Sequence, residues 1–216
     1  MAIRRVYYLE KNKVKYFDFN IKWNFGSSIQ QKQKNVENLH YIISSNFCVP
    51  KDRILEVSTK SKLEIGVVLS SFNLKAKLGD NFYPVECVYQ SSKVFKNILG
   101  EYQIMDALLM SPYQAKARLS MEKHENLCKF RCENKEFPLE PKNMFYDWVY
   151  INALKEIPNL MDELKEFDYF TDIEFNPQKS ISCQARTLVL YIWLVRNKKL
   201  DEYLKNPIKF YRNVSK

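Results

Sequence analysis

Only four glycines are scattered through 216 residues, and no G-x-G-x-x-G or Walker-type run is among them. That scarcity argues against a glycine-rich nucleotide loop, so a bound phosphate would be held by side chains or helix ends. Hydrophobic residues make up 46% of the chain, enough for one well-buried core. The expectation is a single domain over residues 1–216, of α+β class and mainly α, with a few short antiparallel strands.

Hydrophobic periodicity places the elements. Residues 6–10 and 14–19 alternate around Lys11-Asn12-Lys13, the pattern of a β-hairpin. Ile29, Val36, Leu39 and Ile43 recur at helical intervals over 29–43. A short strand is expected at 54–57, then a helix over 62–69 capped by Ser61. Gly79-Asp80-Asn81 is turn chemistry, and Pro84 stands near the first turn of a helix carrying Glu86 and running on to Phe95. Ser111-Pro112 starts another helix. A second hairpin is expected from 127–131 and 135–137. Further helices follow from Pro141 through Leu154, over 159–167, and over 183–196, the most apolar of all.

On the helix after Pro84, Glu86, Gln90 and Lys93 stand at i, i+4 and i+7, so neighbours lie about 5–6 Å apart at Cβ. An acid, an amide and an amine on one stripe fit sugar–nitrogen bond chemistry, and they equally fit a surface ion pair. Phe170-Thr171-Asp172-Ile173-Glu174-Phe175-Asn176-Pro177 is the second polar segment. If extended, Asp172 and Glu174 point to one side. The alternative is a turn with solvated acids. Arg186 can hold a pyrophosphate by two hydrogen bonds or serve as a structural bridge to one of those acids. Tyr146 and Trp148, with Lys142 nearby, can stack on a base or pack into the core.

Seven segments, in this order, carry a family resemblance: Ile21-Lys22-Trp23-Asn24, residues 28–35 (SIQQKQKN), 55–61 (LEVSTKS), 69–74 (LSSFNL), 85–95 (VECVYQSSKVF), 138–148 (PLEPKNMFYDW) and 170–186 (FTDIEFNPQKSISCQAR). With them the chain resembles the NADAR superfamily, in the branch of antitoxins paired with DarT-type toxins that ADP-ribosylate DNA. The resemblance implies an N-glycosidase that hydrolyses ADP-ribose from guanine in DNA, single-stranded by preference because base extrusion costs least there. It implies Glu86, Lys93 and Asp172 as catalytic groups. Asn73, Gln90, Ser92, Lys142, Tyr146, Trp148, Glu174, Asn176 and Arg186 would bind substrate, with no cofactor or metal. Many small stand-alone members have His after the helix-opening Glu, where this chain has Cys87; that weakens transfer of the activity on riboflavin intermediates known elsewhere in the superfamily.

Two mechanisms stay open. Glu86 protonates the leaving guanine nitrogen or activates water while Asp172 stabilises the cationic sugar. Alternatively Lys93 attacks the anomeric carbon and a Schiff base forms before water releases ADP-ribose, which needs a neutral amine. The other functions open to the chain are glycosidase action on a small phosphoribosyl metabolite, and non-catalytic reading of modified DNA or binding of the toxin.

The net charge of +9 favours an anionic partner such as nucleic acid. No apolar run behind Arg4-Arg5 makes a signal peptide, and none approaches the ~20 residues of a membrane span. Five cysteines without framework spacing fit a reduced compartment, so a cytoplasmic protein is expected. His124, Cys128 and Cys132 invite a zinc reading but lack common structural spacing and a fourth ligand. Cys87 has no identifiable base partner, and His40 is expected at a helix surface or boundary.

Overall fold

A computed structural model describes residues 1–214. The chain opens with β1 (Ala2–Glu10), β2 (Lys13–Ile21), α1 (Ile29–Phe47), β3 (Ile54–Glu56) and α2 (Glu64–Val68). There follow β4 (Lys75–Leu78), β5 (Asn81–Pro84), α3 (Val85–Ser91), β6 (Lys93–Asn97), β7 (Gly100–Gln103) and α4 (Pro112–Ser120). Next are β8 (Leu127–Cys132), β9 (Lys135–Phe137), α5 (Met144–Lys155) and α6 (Leu160–Leu164). The last elements are β10 (Tyr169–Thr171), α7 (Gln184–Arg196), α8 (Leu200–Lys205) and α9 (Pro207–Val214). The class is α+β. Two compact units interleave in sequence: Met1–Ser70 with Ile157–Leu200, and Ser71–Glu156 with the residues from Asp201.

In the first unit the strands lie in the order β2-β1-β10-β3. Lys11 and Asn12 take positive φ of 47° and 60°, which a two-residue hairpin loop requires. β10 pairs with β3 in parallel, where the sequence led us to expect only antiparallel strands. Val6 and Tyr7 point to opposite faces and both are buried, so both faces are covered. Val6, Phe19 and Ile21 pack with Val36, Leu39 and Ile43 of α1. α7 packs on β1, β2 and β10. Gly66 of α2 is obligatory, because an added Cβ would lie 2.1 Å from the Glu56 carbonyl oxygen.

The second unit holds the β4–β5 hairpin and a sheet in the order β7-β6-β8-β9. α3 packs against α4 and α5. Phe145 of α5 stacks on Phe130 at 4.6 Å, and Phe137 lies 4.9 Å from Trp148. Between Val94 and Phe95 the β6–β8 register shifts, leaving Cys128 as the extra residue of a bulge. The bulge breaks alternation, so Cys128 is exposed while Cys132 is buried.

Several bounds differ from the sequence expectation. The helix expected from Lys62 begins at Glu64 with Leu63 as its cap, because Ser61 Oγ accepts the Leu63 N–H ahead of it. The helix expected from Pro141 begins at Met144, and that over 159–167 contracts to Leu160–Leu164. Strands β4 to β7 and helices α8 and α9 were not expected.

Candidate active site

Glu86 and Gln90 sit one turn apart on α3 and are both buried. Lys93 does not share their helix, contrary to the sequence expectation. Ser92 closes the helix with its N–H on the Val88 carbonyl, and Lys93 is the first residue of β6, paired with Phe130. The three side chains nevertheless meet. Lys93 Nζ donates to Gln90 Oε1 at 2.7 Å, and Gln90 Nε2 donates to Glu86 Oε1 at 2.8 Å. The amide is thus oriented from both ends: its oxygen must face the amine and its nitrogen the carboxylate. Lys93 Nζ also lies 5.1 Å from the Tyr89 ring centroid. Burial lowers the Lys93 pKa, against the opposing charge of Glu86 and with help from Lys116.

In the first unit the chain after β10 is not extended. Asp172 Oδ1 accepts the N–H groups of Glu174 at 3.1 Å and Phe175 at 3.3 Å, folding the segment into a turn. Asp172 is buried, whereas Glu174 is exposed and pairs with Lys32 at 3.3 Å. The two acids therefore do not share an edge. Asp172 belongs instead with Glu56, which is 2% exposed. Glu56 Oε1 accepts from Ser58 Oγ at 2.6 Å and from the Ile173 N–H at 2.8 Å. Its Oε2 accepts from Thr171 Oγ1 at 2.7 Å. Burial and the Glu56 charge push the Asp172 pKa up to about 8. The Cys183 thiol lies 3.9 Å from Asp172 Oδ2 and is itself raised by burial. His40, expected at a surface or boundary, joins the same network through Nε2 and Thr171 Oγ1 at 2.9 Å. Since that hydroxyl donates to Glu56, His40 Nε2 carries the proton; burial pushes the ring down to about 4.

Tyr146 meets Tyr89 edge-on at 5.3 Å, which links it to the Lys93 row. Ser92 is buried, while Asn73 and Lys142 are exposed, each in a turn. Trp148 belongs to the core, its indole N–H donating to the Leu204 carbonyl at 3.2 Å. A cavity of about 180 Å³ in this unit is lined by Val88, Cys132 and Trp148, but not by Glu86, Gln90 or Lys93. In the first unit, Asn176 Oδ1 accepts the Gln178 N–H at 3.0 Å. Arg186 is half-buried in the first turn of α7, and its charge acts on the buried Tyr7 hydroxyl. Glu56, Arg4 and Cys183 near Asp172, and Tyr7 beside Cys183, are not expected from the sequence. A lone acid inside the apolar run Ile54-Leu55-Glu56-Val57 was the available signal for Glu56.

Among the described residues no cluster of three or more His, Cys, Asp or Glu could hold a metal ion. The His124 side chain lies outside what is described. A family model for the DarT1-associated NADAR antitoxin matches residues 2–216. The chain belongs to that family. No curated protein matches it. The family match spans both units. In this antitoxin the Cys87 thiol donates to the Met110 carbonyl at 3.3 Å, and burial raises its pKa, so it sits in the structure as a packed thiol. Among the described residues no helix is long and apolar enough to cross a membrane.

Proposed function

We propose that this antitoxin is an N-glycosidase that removes ADP-ribose from guanine in DNA and so reverses the toxin's modification. The reading rests on one observation: a buried acid and a half-buried amine joined through a single oriented amide, with the amine's pKa lowered by desolvation. Breaking the bond to an exocyclic guanine nitrogen needs a proton for the leaving group, and Glu86 supplies it in this reading. Charge building at the anomeric carbon must be met by water or a nucleophile. Lys93 suits the latter task in its neutral form, toward which burial shifts it. Its nitrogen would bond to the anomeric carbon as the carbon–guanine bond breaks; the ribose ring opens to an iminium, and water then releases ADP-ribose and regenerates the amine. The family resemblance names Asp172 as a further catalytic group, and its raised pKa suits it to carry a proton at neutral pH. Neither route calls on a metal.

The test is release of free ADP-ribose from a guanine-ADP-ribosylated oligonucleotide, in EDTA, by wild type, Glu86→Ala and Lys93→Ala. Loss of about 10²- to 10⁴-fold in rate is expected in each variant. Unchanged turnover in both would remove the row from the mechanism. Tight binding without turnover by wild type would make the protein a reader or a toxin-binding antitoxin. Borohydride added during turnover should trap a covalent adduct in wild type and not in Lys93→Ala; no adduct would leave the general-acid route.

A further inference from the structure

Residues 22–28, between β2 and α1, carry two aromatic rings among cations. Phe25 is 82% exposed and Trp23 is half-buried. The exposure of Phe25 is built in, because the loop is clamped to α1 on either side of it. Asn35, fully buried, accepts the backbone N–H of Asn24 at 2.7 Å and its side-chain amide at 3.1 Å. It also donates to the Asn24 carbonyl at 2.9 Å. Asn38 donates to the Lys22 carbonyl at 3.2 Å, and Gln31 packs against Gly26, where φ is +129°. Gln31, Asn35 and Asn38 form one helical stripe, and exposed Lys34 shares it at i+3 and i+4 spacing.

The charge around the rings is positive. Arg4 Cζ lies 4.3 Å from the Trp23 centroid and Lys32 Nζ 5.4 Å, with Glu174 paired to Lys32 at 3.3 Å. Lys22 and Lys34 are exposed. A solvated aromatic face flanked by lysines, as at Phe25, is what unpaired bases and their phosphates bind, since every base offers a π-face whatever its sequence. The loop is also tied to the Asp172 turn, because Arg4 Nε donates to the Ile173 carbonyl at 2.8 Å.

We propose that Phe25 is a stacking platform for an unpaired base of single-stranded DNA, with Lys22 and Lys34 meeting the adjoining phosphates. This deepens the reading of a DNA substrate and rests on it for context, but binding can be tested without turnover. The probe is an unmodified, fluorescently labelled single-stranded oligonucleotide of about 12 nucleotides. Phe25→Ala should weaken its binding about tenfold, and Phe25→Tyr should restore it. Lys22→Gln and Lys34→Gln should each lower the salt dependence of binding by about one phosphate contact. With ADP-ribosylated guanosine as a small substrate, Phe25→Ala should match wild type. Wild-type affinity in Phe25→Ala, no oligonucleotide binding by wild type, or equal loss on the small substrate would each overturn the platform. Failure of ADP-ribose release with intact, Phe25-dependent binding would overturn the glycosidase reading alone.

Discussion

Replacing Glu56 with leucine takes the acceptor away from three donors inside the first unit, and the cost can be worked out donor by donor. The Ile173 N–H, bound at 2.8 Å, is fixed backbone and would be orphaned, at about 1–3 kcal/mol. The Ser58 and Thr171 hydroxyls can rotate to other acceptors, so each loses about 1 kcal/mol. Leucine no longer has to desolvate a carboxylate, which offsets part of this. A net loss of about 2–4 kcal/mol is expected. Glu56→Gln behaves differently. Its oxygen still accepts from Ile173 and Ser58, while its amide donates to Thr171, whose hydroxyl then turns to His40. That requires His40 to move its proton from Nε2 to Nδ1. The cost should stay near 1 kcal/mol. Urea denaturation reads the stabilities as midpoint shifts at constant m, and ¹⁵N NMR reads the His40 tautomer. With the Glu56 charge gone in both variants, the Asp172 pKa should fall from about 8. A leucine variant within about 1 kcal/mol of wild type, or a glutamine variant as damaged as leucine, would refute the reasoning.

Asp172 and His40 give stability a defined pH dependence. Asp172 is raised from 3.8 to about 8, so the folded state holds its proton longer and stability falls as pH rises across that window. His40 is lowered from 6.5 to about 4, so its contribution is present above 6.5 and is lost as pH falls toward 4. The two slopes oppose one another below 6.5; from there to about 8 a net fall approaching 1.4 kcal/mol per pH unit should show in denaturation midpoints and vanish in Asp172→Asn. Gln90→Leu breaks both hydrogen bonds of the row and should lower the rate of ADP-ribose release by at least tenfold while stability drops by only about 1–3 kcal/mol; activity retained in a folded variant would show that the amide does not organise the pair. Gly66→Ala drives a methyl into the Glu56 carbonyl and should cost more than about 3 kcal/mol, read by thermal denaturation; a well-folded, wild-type-like variant would contradict the close approach.

The parts of this protein legible in its sequence are those whose causes are local. The first hairpin shows in alternation and a turn, and α7 shows in an apolar run of which Leu188 and Ile192 are buried and Leu190, Trp193 and Val195 half-buried. Glu86 and Gln90 were placed together by helical spacing alone, and they do bond. The same spacing predicts Lys93 on that helix, and there it fails. Val94 and Phe95 are apolar enough to continue a helix, yet they pair with Gln103 and Tyr102 across a hairpin, a contact that no local period reveals. The chain reverses at Ser92 and Lys93 reaches Gln90 regardless. Asp172 is named by the family resemblance; of the two backbones open to its segment the turn is the one found, but with the Asp172 carboxylate buried and capping that turn instead of solvated. Glu56 stayed hidden for the opposite reason: Thr171 and Ile173 lie more than a hundred residues along the chain from it. That separation bears on mechanism. Sequence can propose Asp172 as a functional acid, but whether it enters a reaction as carboxylic acid or carboxylate depends on its buried neighbour. Under the carboxylate role, activity should rise through about pH 8; under the acid role, it should fall there. The direction of that limb in the pH–rate profile, compared between wild type and Glu56→Gln, separates the two roles, since removing the Glu56 charge must shift the limb to lower pH if Asp172 is its origin.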